Sequence, residues 1–494
     1  AISSGIGREL WKTDGTAAGT VLVKDINTGS ASSSPSSFTE VNGVLYFTAV
    51  TSANGLERWK SDGSEAGTVL IKDILSGSTS SFPLNLTKAG TLLYFTADDG
   101  VNGTEIWVSD GSSTGTFMLK DIIPGFSTSS PSNLTPVGNY IYFNASDDNT
   151  IGNPELWRTD GTTAGTVLIK DIEPGIEGSD PQNLINLNGT LFFTATTISN
   201  GTELWKTDGT EAGTVLVKDI NVLGSGGAPF GLTVMGNTLY FYAFTDANGS
   251  ELWKSDGTNA GTVLVKDIQA GPGSSVSSDL MNVNGTLFFT ANTTTEGNEL
   301  WKSDGTTAGT LLVQDINPGS ASSSPTRITA VNADVYFNAT QGGTQYLMKT
   351  TGGGTGVTTL NNTVVSGGTF VSFFGFANKL FFMYDGYKPG IPSTATGREP
   401  WVSDGTNAGT MLVKDINTVI SANNANPASY ASAGNNVYFA ATNSSNGVEL
   451  WKTDGTEAGT VLLKDIIPGS SSSSPANLTN VNGTIFFTAN ATGF

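Results

Sequence analysis

Short apolar stretches alternate with polar, glycine-rich segments along the whole chain. In the first repeating unit, glycine, serine, proline and asparagine separate four apolar stretches, and Asn42-Gly43 and Asp62-Gly63 mark tight turns. These stretches are residues 21–26, 38–41, 44–49 and 57–61. None has the 3.6-residue periodicity of an amphipathic helix, and Gly, Thr, Ser and Asn are poor helix formers. The pattern therefore predicts four short β-strands per unit.

The unit repeats down the chain, most visibly in the string Glu-Leu-Trp-Lys-Thr-Asp-Gly-Thr at residues 9–16. Its tryptophans are all nine of the chain: Trp11, Trp59, Trp107, Trp157, Trp205, Trp253, Trp301, Trp401 and Trp451. Successive copies lie 48 or 50 residues apart, except for one gap of 100. That gap holds a degenerate copy around Met348. We therefore count ten repeats.

A second element recurs in all ten repeats, namely an aliphatic residue followed by two aromatic residues. The triplets begin at Leu45, Leu93, Ile141, Leu191, Leu239, Leu287, Val335, Leu380, Val437 and Ile485. Adjacent apolar residues indicate a strand that is buried on both faces, as happens when sheets stack against one another.

Four antiparallel strands per repeat of about 48 residues are typical of a β-propeller blade, so we predict an all-β propeller that occupies residues 1–494 as a single repeat domain. The chain starts at a Trp strand and ends after an aromatic strand, so its terminal half-blades can complete one blade and close a single ten-bladed ring. Two five-bladed rings are the alternative. The spacing of 12 residues between Phe241 and Trp253 equals that between Phe47 and Trp59, which favours one ring. Half-blades that complete each other between chains would instead form a filament.

The repeated string resembles the bacterial ELWxxDGT repeat family of secreted and cell-surface proteins. Nine clear motifs and one decayed motif carry this resemblance over essentially the whole chain. The resemblance implies export, attachment to or release from a bacterial surface, and adhesion. It implies no particular chemistry, because the family is defined by its repeat.

The composition and charge of the chain exclude several kinds of site and disfavour several kinds of partner. The chain has no Cys and no His, which excludes disulfides, Cys/His zinc sites, Ser-His-Asp triads and imidazole acid–base catalysis. Its net charge of −20 disfavours nucleic acid and anionic lipid as partners, and no apolar run is long enough for membrane insertion. Because the chain begins with Ala1 rather than Met, we expect a processed product or a piece of something longer.

The repeated polar residues are expected to serve the blade. An Asp that starts a turn caps the following backbone N–H groups, while Gly supplies a positive φ. Glu9 and Lys24 lie on neighbouring strands, so we expect them to pair across the blade. Each Trp is expected to pack between blades; a sugar-stacking role is the alternative. A ring of carboxylates for calcium is the alternative role of the acidic residues, and no other cofactor is expected. The turn aspartates are Asp14, Asp62, Asp110, Asp160, Asp208, Asp256, Asp304, Asp404 and Asp454.

Departures from the repeat mark other candidates. Residues 342–400 form a degenerate blade with an inserted loop, which we interpret as a ligand or partner loop because rigid scaffolds carry binding sites on loops. Its candidate residues are Tyr384, Asp385, Tyr387, Lys388 and Arg398. A drifted blade with a harmless insertion is the alternative. The acidic pairs Asp98/Asp99, Asp147/Asp148 and Glu177/Asp180 are weak calcium candidates. Glycosylation sequons include Asn188, Asn284, Asn477 and Asn482.

These features favour a non-catalytic, extracellular structural or adhesive protein at a bacterial surface. Its partners would be a surface polysaccharide, a protein, or copies of itself. The alternative is a lectin-like propeller that binds carbohydrate through loop aromatics. A glycosidase that uses a pair of carboxylates is a third hypothesis, since that chemistry needs neither His nor Cys.

Overall fold

The computed structural model describes residues 5–148, 154–175, 178–222, 226–276, 280–353, 356–360, 368–385, 397–418 and 424–491. Over these residues the chain forms forty strands, which make ten four-stranded antiparallel sheets and no helix. The sheets are the blades of one ten-bladed β-propeller, so the predicted single ring is confirmed and the two five-bladed rings are not formed.

The blades are numbered here in chain order, with the blade that joins the two ends of the chain last. Blades 1 to 5 comprise β3 (Ser36–Val41), β4 (Val44–Thr51), β5 (Gly55–Ser61) and β6 (Val69–Lys72); β7 (Leu84–Ala89), β8 (Leu92–Asp98), β9 (Thr104–Ser109) and β10 (Thr116–Lys120); β11 (Ser132–Val137), β12 (Tyr140–Ser146), β13 (Pro154–Thr159) and β14 (Val167–Lys170); β15 (Gln182–Leu187), β16 (Thr190–Thr197), β17 (Gly201–Thr207) and β18 (Val215–Lys218); and β19 (Phe230–Met235), β20 (Thr238–Thr245), β21 (Gly249–Ser255) and β22 (Val263–Lys266).

Blades 6 to 10 comprise β23 (Met281–Val283), β24 (Thr286–Thr293), β25 (Gly297–Ser303) and β26 (Leu311–Leu312); β27 (Thr326–Val331), β28 (Asp334–Gln341), β29 (Thr344–Thr351) and β30 (Thr358–Thr359); β31 (Phe370–Phe376), β32 (Lys379–Tyr384), β33 (Glu399–Ser403) and β34 (Met411–Leu412); β35 (Ala428–Ala433), β36 (Asn436–Asn443), β37 (Gly447–Thr453) and β38 (Val461–Lys464); and β39 (Ala476–Val481), β40 (Thr484–Ala491), β1 (Gly7–Thr13) and β2 (Val21–Lys24).

Blades 1 to 9 each run from an inner strand to an outer strand in sequence order. Inner strands of successive blades contact one another, as β3 does β7 and β7 does β11, so they surround the central channel. In blades 1, 4, 6 and 10 the first two strands are joined at an Asn-Gly turn. In blade 1, Asn42 and Gly43 both have positive φ (52° and 82°), which suits a tight hairpin with the right-handed twist of its strands.

Blade 10 closes the ring by pairing strands from the two ends of the chain. β1 pairs with β40 in an unbroken antiparallel register from Gly7↔Ala491 to Thr13↔Ile485. The sheet order is β2-β1-β40-β39, the same four positions as in every other blade. The half-blades therefore complete each other within one chain, and no open sheet edge remains at the seam.

The hydrophobic core is a series of clusters between neighbouring blades. Trp11 of blade 10 is buried in one cluster with Phe487 of its own blade and Tyr438 of blade 9. The other tryptophans occupy equivalent buried positions, and Met348 takes this place in the degenerate blade 7. Each Trp buries a large apolar area at a blade interface, and this burial stabilises the ring.

Lysines also tie blades to their neighbours. The Lys24 ammonium, at the end of the outer strand of blade 10, donates to the backbone carbonyl oxygen of Thr68 in blade 1 (2.8 Å). Lys72 repeats this bond to Thr116 of blade 2 (2.7 Å). The prediction that Lys24 pairs with Glu9 is therefore wrong. The two residues lie on adjacent strands, but the long lysine side chain extends across to the neighbouring blade.

Candidate functional site

The glutamate before each Trp is buried and binds the segment that leads to the next blade. In blade 10, the Glu9 carboxylate accepts hydrogen bonds from the backbone N–H groups of Ile26 (2.9 Å) and Ser33 (2.7 Å), and from the Ser33 hydroxyl. Ile26 follows the outer strand, and Ser33 lies in the serine-rich connection to blade 1. Glu9 thus holds the segment that connects blade 10 to blade 1, a role that its sequence position alone did not reveal.

Burial raises the pKa of these carboxyls, although their hydrogen bonds act in the opposite direction. The pKa of Glu9, Glu57, Glu105 and Glu203 rises to about 7, because desolvation disfavours the charged form. These four groups lie in blades 10, 1, 2 and 4, at the same position in each. Their raised pKa values follow from their common structural position rather than from one catalytic centre.

Two glutamates lack the serine hydroxyl. Gly227 replaces the serine for Glu203, and Ala425 replaces it for Glu399. One carboxylate oxygen of each glutamate, Glu203 Oε2 and Glu399 Oε1, is buried without a hydrogen-bond partner among the described residues. Burial raises the pKa of Glu399 further, to about 8.

The Asp-Gly turn is a closed hydrogen-bond unit. Asp14 Oδ1 accepts from the backbone N–H and the hydroxyl of Thr16 (2.9 and 2.8 Å), and these bonds lower the pKa of Asp14. The Thr20 hydroxyl donates to the Thr16 carbonyl oxygen (2.7 Å). A Cβ on Gly19 would lie 2.1 Å from Asp14 Oδ1, so the turn requires glycine there. The same bonds recur at the other turn aspartates, for example at Asp62 and Asp454.

The loop proposed from sequence as a ligand site is only partly described. Tyr384 is the last residue of β32, and its ring is buried and stacks on Phe370 with a centroid distance of 4.5 Å. Tyr384 therefore belongs to a strand and to the core, and not to the inserted ligand or partner loop in which it was predicted. Asp385 accepts an ion-paired hydrogen bond from Arg398 Nε (3.2 Å). Tyr387 and Lys388 lie outside the described residues.

The acidic pair Asp98/Asp99 serves a local turn. Asp98 accepts from the Gly100 N–H, and Asp99 accepts from the N–H groups of Val101 and Asn102. Glu177 lies outside the described residues. Within the part of the chain that the structure describes, no group of three or more Asp or Glu side chains is placed to hold a metal ion. Nor does a helix long and apolar enough to cross a membrane occur in that part.

A polar groove lies on the channel wall, where the inner strands β7, β11 and β15 of blades 2 to 4 run side by side. It has a volume of about 510 Å³ and no charged side chain in its lining. The lining residues are Asn85, Leu86, Thr87, Asn133, Leu134, Thr135, Gln182, Asn183 and Leu184.

The groove asparagines are held at β-bulges. Asn85, Asn133 and Asn183 have positive φ (55°, 56° and 55°), a conformation that Asn tolerates better than most residues. The Asn133 amide donates to Gln182 Oε1 of the next blade (2.9 Å), and the Asn85 amide donates to the Pro131 carbonyl oxygen (3.2 Å). The groove therefore presents amide and hydroxyl groups in a fixed arrangement beside half-buried leucines.

No protein-family model matches the chain, and no curated protein matches it. Among solved structures, it is similar to a prolyl endopeptidase (13% identity, TM-score 0.37), with 74% of this chain and 56% of that chain covered. It is also similar to TolB from Acinetobacter baumannii (15%, TM-score 0.28; 55% and 63% covered) and to the β-propeller domain of the Trilobed protease from Pyrococcus furiosus (13%, TM-score 0.30; 66% and 96% covered).

The aligned region thus spans little more than half the length of the peptidase. Likenesses at this level concern fold alone and bear on neither the presence nor the absence of an enzymatic activity. The class that the structure itself defines is a ten-bladed β-propeller built from near-identical repeats.

Proposed function

We propose that this protein is a non-catalytic scaffold outside the cell, at or released from a bacterial surface. Its ring would present its channel and loops to a surface polysaccharide, to a protein, or to further copies of itself. The observation that carries this proposal is how the repeated polar residues are used. Glu9, Asp14 and Lys24 bind backbone or hydroxyl groups of their own or the next blade, and their counterparts do so around the ring.

Polar residues that are used in this way hold a shape and leave the variable loops for recognition. The acidic excess supports the same role, because a strong net charge favours solubility of an exported chain. The proposed location at a bacterial surface rests on the resemblance of the repeat to the ELWxxDGT family.

The location is tested on intact producing cells. Antibody labelling and protease treatment of unbroken cells should detect and cleave the protein, or it should be found in the medium, while a cytoplasmic control stays protected. Labelling that appears only after lysis would contradict the proposal.

Binding of the purified ring to the same cells and to their extracted polysaccharide then tests adhesion. Light scattering against concentration tests self-assembly.

A second candidate function is the binding of a neutral glycan, favoured by the groove on blades 2 to 4. Amides and hydroxyls are good partners for sugar hydroxyls, and the leucines offer apolar surface to sugar C–H groups. The absence of charge in the lining favours an uncharged polysaccharide over an anionic one.

The test of this candidate is an array of neutral and anionic polysaccharides, followed by titration of any neutral hit. Asn133→Ala with Thr135→Val should weaken binding at least tenfold. A matched control is Asn477→Ala with Thr479→Val, the same Asn-Leu-Thr motif on the inner strand of blade 10, which should leave the affinity unchanged. An array without neutral hits, or equal losses in both variants, would rule out this groove.

A further inference from the structure

Arg58 interrupts the repeat at the interface between blades 1 and 2. It lies on β5 directly before Trp59, where the other repeats carry an apolar residue. Those residues are Leu10, Ile106, Leu156, Leu204, Leu252, Leu300, Leu347, Pro400 and Leu450. The Arg58 side chain is nevertheless as buried as the leucines, with no exposed surface. A guanidinium thus occupies a position that the fold reserves for hydrocarbon.

The guanidinium has no hydrogen-bond acceptor. Nε, Nη1 and Nη2 of Arg58 are all buried without a partner among the described residues. Guanidinium carries five N–H donors and keeps its charge, so its burial is strongly unfavourable unless a counter-charge or acceptors are supplied.

The surrounding protein groups do not supply that counter-charge. The guanidinium carbon lies 5.3 Å from the centre of the Phe95 ring of blade 2, a cation–π contact that does not satisfy the N–H groups. Lys72 pairs with Arg58 in the strand register and therefore adds a second positive charge to the same face of the sheet.

Glu57 is the adjacent carboxylate, but its oxygens are taken by other donors. They accept from the Ser81 hydroxyl (2.6 Å) and from the backbone N–H groups of Ser81 and Ile74 (3.2 and 3.3 Å). Burial lowers the pKa of Arg58 to about 9 despite the attraction of Glu57, so the local charge balance remains unfavourable to the cation.

Packing at this interface also differs from that at its neighbour. Between blades 10 and 1, a single hydrophobic cluster includes Leu10, Phe47 and Trp59. Between blades 1 and 2, the corresponding residues separate into two smaller clusters, one around Tyr46 and the other around Phe95. The guanidinium lies where the apolar contact would otherwise be continuous.

We propose that the interface between blades 1 and 2 binds a small monovalent inorganic anion of the halide class, held by the guanidinium of Arg58. The anion would accept the unpartnered N–H groups and neutralise the excess positive charge of Arg58 and Lys72. A single-atom anion is the smallest ligand that can accept several of these N–H groups, which matters at a position with no exposed surface. The bound anion would stabilise the contact between the two blades, independently of what the ring binds outside.

Thermal unfolding of the whole chain in sodium chloride and in sodium gluconate, at equal ionic strength, tests the proposal. The wild-type protein should show a saturable rise in Tm of about 1–2 °C in chloride, because a ligand that binds only the folded state stabilises it. Arg58→Leu should abolish the chloride-specific part. Arg158→Leu, which removes a half-buried arginine from β13, should retain it.

Crystals grown in bromide give a second measurement that does not depend on a variant folding. An anomalous peak within hydrogen-bond distance of the Arg58 guanidinium is the expected result. No peak there, no chloride-specific shift in the wild-type protein, or an equal shift in Arg58→Leu would each overturn the proposal.

Discussion

The Lys452 ammonium donates to the backbone carbonyl oxygen of Gly15 at 2.7 Å, although the two residues are 437 positions apart in the chain. The same bond joins Lys206 to Gly257 between blades 4 and 5. The interface between blade 9 and the N-terminal strands of blade 10 is therefore built with the same contacts as interfaces elsewhere in the ring. The seam inside blade 10, where β1 pairs with β40, differs from the matching strand pair of the other blades in the length of chain that it closes.

A disulfide across the seam should stabilise the ring more than the same disulfide inside a blade. Arg8 pairs with Asn490 across the seam, and Leu56 pairs with Val50 at the equivalent place in blade 1. We expect oxidised Arg8→Cys/Asn490→Cys to gain about 3–4 kcal/mol more than oxidised Leu56→Cys/Val50→Cys, because it closes nearly the whole chain rather than a hairpin. Denaturant unfolding with and without reductant measures both. Equal gains would mean that the two ends of the chain are already close to each other in the unfolded state.

Gly15→Ala should destabilise the protein more than Gly29→Ala. Both glycines have positive φ (90° and 98°), so both variants carry a similar backbone cost of about 1 kcal/mol. A Cβ at Gly15 would also lie 2.4 Å from the Tyr438 hydroxyl of the preceding blade, whereas a Cβ at Gly29 meets nothing within 4 Å. We expect an additional loss of about 1–3 kcal/mol for Gly15→Ala in urea unfolding. Equal losses would contradict the close blade contact.

The free energy of unfolding should fall as the pH rises from about 4.5 to about 7. The pKa of Glu57 and of Glu9 is raised to about 7 in the folded protein, and burial also raises the pKa of their counterparts. Between the unfolded and folded pKa values, the folded state binds more protons than the unfolded chain, so a rise in pH favours unfolding. Urea titrations at pH 5, 6, 7 and 8 measure this trend.

Glu57→Gln provides the control, since it removes one ionisable group at nearly constant shape. Relative to the wild-type protein, this variant should become progressively less destabilised as the pH rises. A pH dependence that is identical in the variant and the wild-type protein would show that Glu57 is charged in the folded state throughout this range.

A reciprocal pair of variants should measure the stability that a serine hydroxyl contributes when it binds a buried glutamate. One variant removes the hydroxyl and the other adds it. Ser473→Ala removes the hydroxyl that donates to Glu449 and should cost about 1–3 kcal/mol. Ala425→Ser offers this missing hydroxyl to Glu399, so we expect a gain in stability and a lower pKa for Glu399. Calorimetry at pH 8 checks both signs. A loss in Ala425→Ser would mean that the site has no room for the hydroxyl.

The boundaries of the first repeat show how much the sequence revealed. Residues 44–49 and 57–61 were predicted as strands and lie within β4 (Val44–Thr51) and β5 (Gly55–Ser61). The turns were equally predictable from the sequence, since the backbone conformations of Asn-Gly and Asp-Gly depend on only a few residues. The partner of Glu9 could not be predicted from the sequence, because Ser33 is 24 residues away in the serine-rich connection to blade 1.

The sequence by itself determined the strand order, the number of blades and the aromatic content of their interfaces, because these depend on local propensity and on a period repeated ten times. Only the tertiary structure decided which side chains face one another across blades. It placed Lys24 on Thr68 rather than Glu9, buried Tyr384, and left the guanidinium of Arg58 without an acceptor. The physical reason is that contacts between blades depend on the curvature of the ring, which no single repeat encodes alone.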